Sequence, residues 1–270
     1  MSRPLEPSLP AHAEEAIHRF LRAHADEAGR AGYVLGLSGG IDSALAARLA
    51  VDSVGPDHVT GVLLPDAQFS SALANETREY AESLGVEALS LSIDESEEAL
   101  RRVLPDVSDR VAWGNVKARL RMIILYAVAA QRQRLVLGTG NKSELLLGYF
   151  TKYGDGGADV LPLGDLYKTQ VRELARHLGL PQAVLERAPT AGLWEGQTDE
   201  AELGLPYEQL DRVLVGLERL YTEAEIMEKT GFSESVVREV VERVNRNRHK
   251  RRLPPIPKLS LRTVGIDWRD

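Results

Sequence analysis

Residues 32–43 read GYVLGLSGGIDS, and the helix-like run ALAARLA follows directly. The segment YVLGL has the apolar, β-rich character of a buried strand, two glycines come after it, and a helical pattern then begins. Such a junction is an anion site, because exposed backbone N–H groups and the positive end of the helix dipole both favour phosphate. A plain strand-to-helix turn, with Asp42 as a first-turn carboxylate, is the alternative.

The glycine loop differs from the common phosphate loops. The pattern GxxxxGK[ST] requires a lysine that is absent here, and GxGxxG is not matched either. Gly39 and Gly40 let the backbone approach oxygen atoms closely, and serine hydroxyls at 38 and 43 can add donors. Asp42 beside a phosphate is repulsive unless a cation lies between them. Mg²⁺ is the expected cation, since carboxylates and phosphates commonly share it.

Strand-like apolar runs alternate with helical periodicity through the first two-thirds of the chain. The predicted strands are YVLGL, HVTGVLL, VEALSLS and RLVLGTG, and the predicted helices are SALAARLAVDSV, SALANETREYAESLG and WGNVKARLRMIILYAVAAQRQ. This alternation predicts an α/β fold with a doubly wound parallel sheet flanked by helices. The loops SGGIDS, PDAQFSS and GTGNKSE each follow a predicted strand, which is where such sheets bind ligands.

The composition excludes several classes of chemistry. The 33 Lys and Arg residues against 40 Asp and Glu give a net charge of -7, which argues against nonspecific nucleic-acid binding but not against a nucleotide substrate. There is no cysteine, so disulfides, thiolate metal sites and a catalytic cysteine are excluded. Neither a secretory signal pattern nor a long apolar span occurs, and we expect a cytoplasmic protein with no membrane partner.

Longer stretches of the chain resemble one enzyme family. SGGIDS resembles the SGGxDS pyrophosphate loop of the ATP pyrophosphatase group, whose members cleave ATP between the α and β phosphates. The segments that are similar to NAD synthetase are NVKARLRMIILYAVA, LGTGNKSELLLGYFTKYGDGGADVLPLGDLYKTQV, APTAGL, QTDEAELG, HKRRLPP and RTVGIDWR. The resemblance implies ATP-dependent amidation of nicotinic acid adenine dinucleotide (deamido-NAD) by ammonia, through an acyl adenylate, with release of AMP and pyrophosphate.

The resemblance also assigns site residues by position. The residues expected to contact ATP are Gly36, Leu37, Ser38, Gly39, Gly40, Ile41, Asp42, Ser43, Thr139, Lys168 and Thr190. Those expected to contact deamido-NAD are Asn115, Arg119, Tyr149, Lys152, Asp159, His249 and Lys250. The expected Mg²⁺ ligands are Asp42, Glu144 and Asp155, and Asp42 and Lys168 are the expected catalytic residues. No residue is assigned to adenine, because LLPDAQFSSALANETRE departs from the commonest bacterial relatives.

Taken alone, several of these residues have ordinary explanations. Glu144 could be a surface residue of a helix, Lys168 a solvated lysine, and the glycine-flanked Asp155 a turn residue. Arg119 also fits an amphipathic helix. The basic run NRNRHKRR around His249 is typical of a solvated face or an RNA-binding surface.

We expect one domain, with an N-terminal helix (1–30), an α/β nucleotide-binding core (31–205), and C-terminal helices with a substrate-closing tail (206–270). Within it, residues 186–206 predict a loop, because they are rich in Gly, Pro and acid. Without cysteine, ammonia is the expected nitrogen source, and a separate glutaminase subunit is the alternative. A homodimer is expected through the helix that contains RMIILYAVAA.

Two other functions remain open. tRNA-modifying ATP pyrophosphatases share the loop, but they commonly use cysteines, which this chain lacks. The segment TEAEIMEKTGFSESVVREVVERVNRNRHKRR is similar to a helix-turn-helix and indicates a DNA-binding module. Packing of helices against the main domain predicts the same pattern.

Overall fold

The computed structural model describes residues 5–194, 196–264, 266 and 267. The ends of the expected domain and part of the RTVGIDWR match lie outside these residues. The helices and strands are α1 (Ala13–Glu27), β1 (Tyr33–Gly36), α2 (Ile41–Val54), β2 (Val59–Leu63), α3 (Ser71–Ser83), β3 (Glu87–Ser90), α4 (Asp94–Val103), α5 (Arg110–Arg132), β4 (Leu135–Val136), α6 (Lys142–Leu147), α7 (Lys168–His177), α8 (Gln182–Leu185), α9 (Asp199–Leu203), α10 (Tyr207–Glu218), α11 (Glu223–Thr230) and α12 (Glu234–Arg246). None of the described helices is both long and apolar enough to span a membrane.

The strands of the described chain form one parallel sheet in the order β3-β2-β1-β4. The predicted parallel α/β architecture is therefore confirmed. The observed strands are shorter than the apolar runs that predicted them, because the ends of those runs continue into the ligand-facing loops. β4 has only two residues, and Leu137 then makes an isolated parallel bridge with Val160.

Alternate residues of β1 face opposite layers, as the period of a strand requires. Tyr33 and Leu35 belong to a core that includes residues of α1, α2 and α7. Val34 belongs to a second core on the other face, with Ala129 of α5. Burial on both faces explains why the central strands β1 and β2 do not alternate between buried and exposed residues, whereas the edge strand β3 is partly exposed.

The C-terminal helices have a core of their own. Leu214 of α10, Ile226 of α11 and Val237 of α12 are buried together with Leu147 at the end of α6. The apolar pattern that resembled a helix-turn-helix is thus used for packing. This arrangement places α10 directly against α6 and α7.

A short helix interrupts the segment predicted as a loop. In α9, Thr198 is the N-cap and accepts a hydrogen bond from the Ala201 N–H at 3.3 Å. Three acidic residues occupy the first turn, where the helix dipole favours them. The loop prediction was wrong at this point, because five residues are too few to show helical periodicity.

A buried ionic cluster fixes α5 to the loop after β2. Asp66 Oδ2 lies 2.9 Å from Lys117 Nζ and 3.3 Å from the Arg121 guanidinium. Lys117 also donates to the Leu193 carbonyl at 3.3 Å, which ties the 188–197 segment to the same point. Burial raises the pKa of Asp66, but the hydrogen bond from Lys117 and the charge of Arg121 outweigh it and lower the pKa overall.

Replacing Asp66 by Asn should lower the free energy of unfolding by about 3 kcal/mol at neutral pH, because the buried Lys117 and the partly buried Arg121 lose their shared counter-charge. The lowered pKa means that this stabilisation is present above the ordinary aspartate range and is lost as pH falls through the folded-state value. Urea unfolding at several pH values measures it. The matched control is Glu87→Gln, which breaks the exposed pair with Arg132 and should cost less than about 1 kcal/mol. Equal losses in the two variants would contradict the assignment.

Candidate active site

The glycine loop connects β1 to α2 and presents backbone groups to a cavity. Gly39 has φ +76°, and a Cβ there would come within 2.6 Å of a Leu73 methyl group and 2.7 Å of the Thr77 hydroxyl. The Ser43 hydroxyl donates to the Gly40 carbonyl at 2.9 Å, which closes the turn at the start of α2. Only glycine combines this backbone conformation with this close approach.

The cavity has a volume of about 1020 Å³ and lies beyond the carboxyl ends of the strands. The expected ATP residues that line it are Gly36, Leu37, Ser38, Gly40, Ile41, Asp42, Ser43, Thr139, Lys168 and Thr190. Gly39 instead borders a second cavity of about 280 Å³ behind the loop. Ten residues predicted from separate parts of the sequence therefore line the same cavity.

Lys168 brings the two predicted metal-ligand carboxylates together. Its ammonium group donates to Asp42 Oδ2 and lies 3.4 Å from Glu144 Oε1. The lysine side chain is only 2% exposed, whereas both carboxylates retain some exposure toward the cavity. Because Lys168 is the first residue of α7 and Glu144 lies in the first turn of α6, two helix starts meet Asp42 here.

Asn141 completes this cluster and was not predicted. Its side-chain N–H donates to Asp42 Oδ1 at 2.9 Å, and its side-chain oxygen accepts from the Glu144 N–H at 3.0 Å. Glu144 in turn accepts from the Asn141 backbone N–H at 3.2 Å, so the two residues form a capping box. The pattern NKSE carries the sequence signal for that box.

Burial and neighbouring charges shift the pKa values of this cluster. For Glu144, burial is the main cause, and the adjacent Asp42 carboxylate adds to it, so the pKa is raised. For Lys168, burial lowers the pKa, but the charges of Asp42 and Glu144 raise it more, and the net direction is upward. Lys168 is thus a stable cation at neutral pH, and Glu144 binds a proton more readily than an exposed glutamate does.

Asp199 is a buried acid beside the cluster that sequence reasoning also missed. It is 3% exposed, and one of its oxygens accepts from the Tyr207 hydroxyl at 3.0 Å. The other oxygen is buried and has no hydrogen-bond partner among the described residues. Burial is the largest cause of its raised pKa. The QTDE segment was noted only for its family resemblance, since the burial of Asp199 depends on how α9 packs.

The residues predicted for deamido-NAD divide into two groups. Asn115, Tyr149 and Lys250 line the large cavity. Lys250 donates to the carbonyl groups of residues 148 and 150, both at 2.8 Å. Tyr149 donates to Glu202 at 2.5 Å, so the hydroxyl that distinguishes it from a phenylalanine has a partner.

The other predicted cations lie next to the cavity and bind backbone. Arg119 donates to the Lys152 carbonyl at 3.2 and 3.3 Å, and Lys152 donates to the His249 carbonyl at 3.0 Å. These contacts attach the C-terminal 3₁₀ turn (Arg248–Arg251) to the loop after α6. The three residues are brought together, although none is among the residues that line the cavity.

The two predicted aspartates have local partners. Asp155 lines the cavity and accepts from the Thr151 N–H at 2.8 Å. Asp159 accepts from the Val136 N–H at 2.7 Å and from the Tyr126 hydroxyl at 3.0 Å. Among the described residues, no group of three or more His, Asp or Glu side chains could hold a metal ion. A cation beside Asp42 and Glu144 would therefore share its remaining ligands with substrate oxygens or water.

Arg187 holds the glycine loop from behind. Its guanidinium donates to the Gly39 carbonyl and pairs with Glu76 of α3 at 2.5 Å. Arg187 lines both cavities, so this contact links the loop to α3 at the border between them. Arg187 was not predicted, because a single arginine before APTAGL has no distinctive spacing.

Comparisons with known proteins agree with this geometry. A family model described as NAD synthase matches residues 13–254. The chain belongs to the NAD synthase family. An NH(3)-dependent NAD(+) synthetase of Methanosarcina mazei is 45% identical over 92% of this chain and 98% of its own length. The family predicted from the sequence is confirmed.

Two solved structures of the family are similar to this one. The NMN synthetase of Francisella tularensis has a TM-score of 0.82 and 37% identity, over 94% of this chain and all of that chain. The NH3-dependent NAD synthetase of Campylobacter jejuni, in complex with the nitrate ion, has a TM-score of 0.78 and 30% identity, over 91% of this chain and 97% of that chain. Both matches support the doubly wound α/β fold.

Replacing Gly39 by Ala should reduce ATP-dependent turnover about a hundredfold or more, because the new methyl group must displace the loop from Leu73 and Thr77. Steady-state kinetics with varied ATP measures this loss. Gly179→Ala is the matched control, since Gly179 has φ +68° but open space around its Cβ position. Both variants should lose about 1–2 kcal/mol of stability from the backbone conformation, and only Gly39→Ala should lose turnover. Equal turnover in both would rule out the loop's role.

Proposed function

We propose that this protein catalyses the ATP-dependent amidation of deamido-NAD to NAD, with ammonia as the nitrogen donor. The observation that supports this most is the Asp42–Lys168–Glu144 cluster at the glycine loop of an NAD synthase family member. A curated relative that is nearly half identical over its whole length carries the same activity in its name. ATP, deamido-NAD and ammonia are then the substrates.

The first step is mainly a problem of charge. A carboxylate oxygen of deamido-NAD forms a bond to the α phosphorus of ATP, and the bond from that phosphorus to the oxygen bridging to the β phosphorus breaks. Two anions must approach each other for this to occur. Backbone N–H groups of the glycine loop would hold the departing pyrophosphate, and Lys168 would offset the charge that builds on it.

In the second step, ammonia attacks the acyl carbon of the adenylate. The bond from that carbon to the AMP oxygen breaks, AMP leaves with the electron pair, and the nitrogen loses a proton. The acyl adenylate is a mixed anhydride that water would also hydrolyse. Residues 188–194, tied to Lys117 through Leu193, line this side of the cavity and would limit water entry.

The carboxylates of Asp42 and Glu144 fit a magnesium ion. They are hard oxygen donors that face the cavity, and when both are ionised their two negative charges exceed the single charge of Lys168. A bound cation would favour the ionised form of Glu144, whose pKa is raised by burial. When bound, Mg²⁺ would supply positive charge for the phosphate oxygens of ATP. We assign Asp155 to a second ion, as the resemblance implies; its exposure to the cavity supports that role.

For deamido-NAD, we propose the expected set of Asn115, Arg119, Tyr149, Lys152, Asp159, His249 and Lys250. Asn115, Tyr149 and Lys250 line the cavity, which supports this directly. The link from Arg119 through Lys152 to His249 in the 3₁₀ turn supports a common role for these three residues, because movement of the turn would move them together. The role of Asp159 rests on the resemblance alone.

A second substrate deserves a direct test. The Francisella tularensis protein, which is named an NMN synthetase, has the higher TM-score of the two structural matches. The carboxylate form of NMN has the same reacting group as deamido-NAD but lacks the adenylate half. The dinucleotide is favoured here, because the relative named for NAD(+) synthesis has the higher identity.

Purified protein with ATP and Mg²⁺ should convert deamido-NAD to NAD when ammonia is supplied and form one AMP and one pyrophosphate per NAD. Product chromatography should show that conversion is at least about tenfold faster than with the carboxylate form of NMN. Glutamine should be inert in place of ammonia unless a separate glutaminase is added. The Asp42→Asn variant, which should be inactive, is the reference. As negative controls, tRNA should not react and duplex DNA should not bind. Faster amidation of the mononucleotide would reverse the substrate assignment.

We also propose a homodimer through α5. Ile123 and Val111 on this helix are 58% and 50% exposed, although the central stretch RMIILYAVAA is mostly apolar. Wild-type protein should sediment at twice the monomer mass. Ile123→Glu should shift it to the monomer, because a charge would be buried in the contact. Leu220→Glu, at an even more exposed apolar residue outside α5, should stay dimeric. A monomeric wild type would exclude the dimer.

A further inference from the structure

One face of α10 carries two carboxylates that each connect α6 to the start of α7. Asp211 accepts from the Ser143 hydroxyl at 2.5 Å and from the Thr169 N–H at 2.9 Å. Two helical turns later, Glu218 accepts from Lys142 at 2.5 Å, and it also accepts a hydrogen bond from the Tyr167 hydroxyl at 2.9 Å. Residues seven apart lie on the same side of a helix, so both contacts face the same pair of elements.

The residues that Asp211 holds are the chain neighbours of the cluster at the glycine loop. Ser143 precedes Glu144 on α6, and Thr169 follows Lys168 on α7. The Ser143 hydroxyl also accepts from the Lys168 N–H at 2.9 Å. Ser143 therefore receives one hydrogen bond from α7 and donates one to α10. The backbone of Lys168 is fixed to α6 by this relay and to α10 through Thr169.

Burial makes the hydrogen bonds of Asp211 difficult to replace. Asp211 and Ser143 have no measurable exposure, so water cannot replace a lost partner without opening the core. The Thr169 hydroxyl is a third donor to Asp211, at 2.8 Å. Asp211 also lies at the start of α7, where its charge interacts favourably with the helix dipole. Glu218 differs, since about half of its side chain is exposed.

A further residue of α10 lies close to the side chain of Lys168. Tyr207, one turn before Asp211, is fully buried, and its ring centre lies 5.4 Å from Lys168 Nζ. Its hydroxyl donates to Asp199. The side chain and the backbone of Lys168 are thus both restrained by α10, which lies outside the sheet that positions the glycine loop.

We infer that Asp211 is a positioning residue for catalysis. It sets the separation of Glu144 and Lys168 by fixing the starts of α6 and α7 to α10, and it touches no substrate itself. The inference rests on the proposed function, in which those two residues handle the phosphates of ATP. It makes the C-terminal helices part of the active-site framework rather than a separate packing unit.

The test compares Asp211→Asn with Val213→Ala. Asparagine keeps the size of the side chain but cannot accept from Ser143 and Thr169 together, whereas Val213 is an equally buried residue in the apolar core of the same helix. Both variants should lose stability in urea unfolding. Only Asp211→Asn should lower kcat, by about tenfold to a hundredfold, with less than about a twofold change in the KM for deamido-NAD.

Two further measurements make the outcome decisive. Calorimetric titration with Mg²⁺ and ATP should show weaker binding by Asp211→Asn than by Val213→Ala, and this readout does not depend on amidation. If wild-type protein binds ATP but amidates neither substrate, the proposed function fails while the binding comparison still tests Asp211. Ser143→Ala removes the hydrogen bond to Asp211 and the one from the Lys168 N–H but leaves the bonds from Thr169 to Asp211 in place, and it should lower kcat by an intermediate factor.

The double variant Asp211→Asn/Ser143→Ala should lose less kcat than the product of the two single losses, because the two residues act partly through one relay. Equal kcat and equal ATP affinity for Asp211→Asn and Val213→Ala would overturn the inference and leave Asp211 with a purely structural role. Additive losses in the double variant would also overturn it. If Asp211→Asn does not fold, a wild-type kcat for Ser143→Ala is the result that overturns it.

Discussion

The ammonium group of Lys168 lies between the carboxylates of Asp42 and Glu144, almost completely removed from solvent. A buried cation with only one of these partners would be costly, since desolvation of a charge requires several kcal/mol unless opposite charge replaces the water. The ends of three elements must therefore meet: the first turn of α2 and the starts of α6 and α7. Asp42 and Lys168 are 126 residues apart, so this contact constrains most of the core.

When Asp42 and Glu144 are both ionised, the cluster carries a net negative charge and faces an open cavity. A nucleotide phosphate would be repelled by it, whereas the glycine loop beside it offers backbone N–H groups that attract phosphate. The divalent cation that we propose would reconcile these two tendencies by entering with the nucleotide. The same geometry therefore accounts for the glycines, the acid next to them and the requirement for Mg²⁺ that the proposed mechanism includes.

The sequence predicted the parallel sheet because its strands are buried on both faces and its helices are long enough to show their period. It also predicted Asp42, Glu144 and Lys168 as one site, but only through family resemblance, since spacing alone gave each an ordinary explanation. The role of Asn141 could have been predicted from the sequence, because NKSE is a capping-box pattern. The role of Asp211 could not, since a polar residue in an amphipathic helix is normally exposed, and its burial depends on how α10 packs.

The C-terminal basic segment is the opposite case, because the sequence assigned it a binding role and the structure shows contacts with backbone carbonyl groups. His249 and Lys250 were predicted to face a substrate. The described hydrogen bonds of Lys250 go to the carbonyl groups of residues 148 and 150, directly after α6, and Arg251 donates to carbonyl groups of Leu146 in α6 and Val244 in α12. Those carbonyls have no partner within a helix, and cations near a helix C-terminus are favourable. Helix α6 is thus fixed at its start by Asn141 and Asp211 and at its end by the basic turn. Because carbonyl groups carry no net charge, these cations keep their positive potential beside the cavity, where an anionic dinucleotide would meet it.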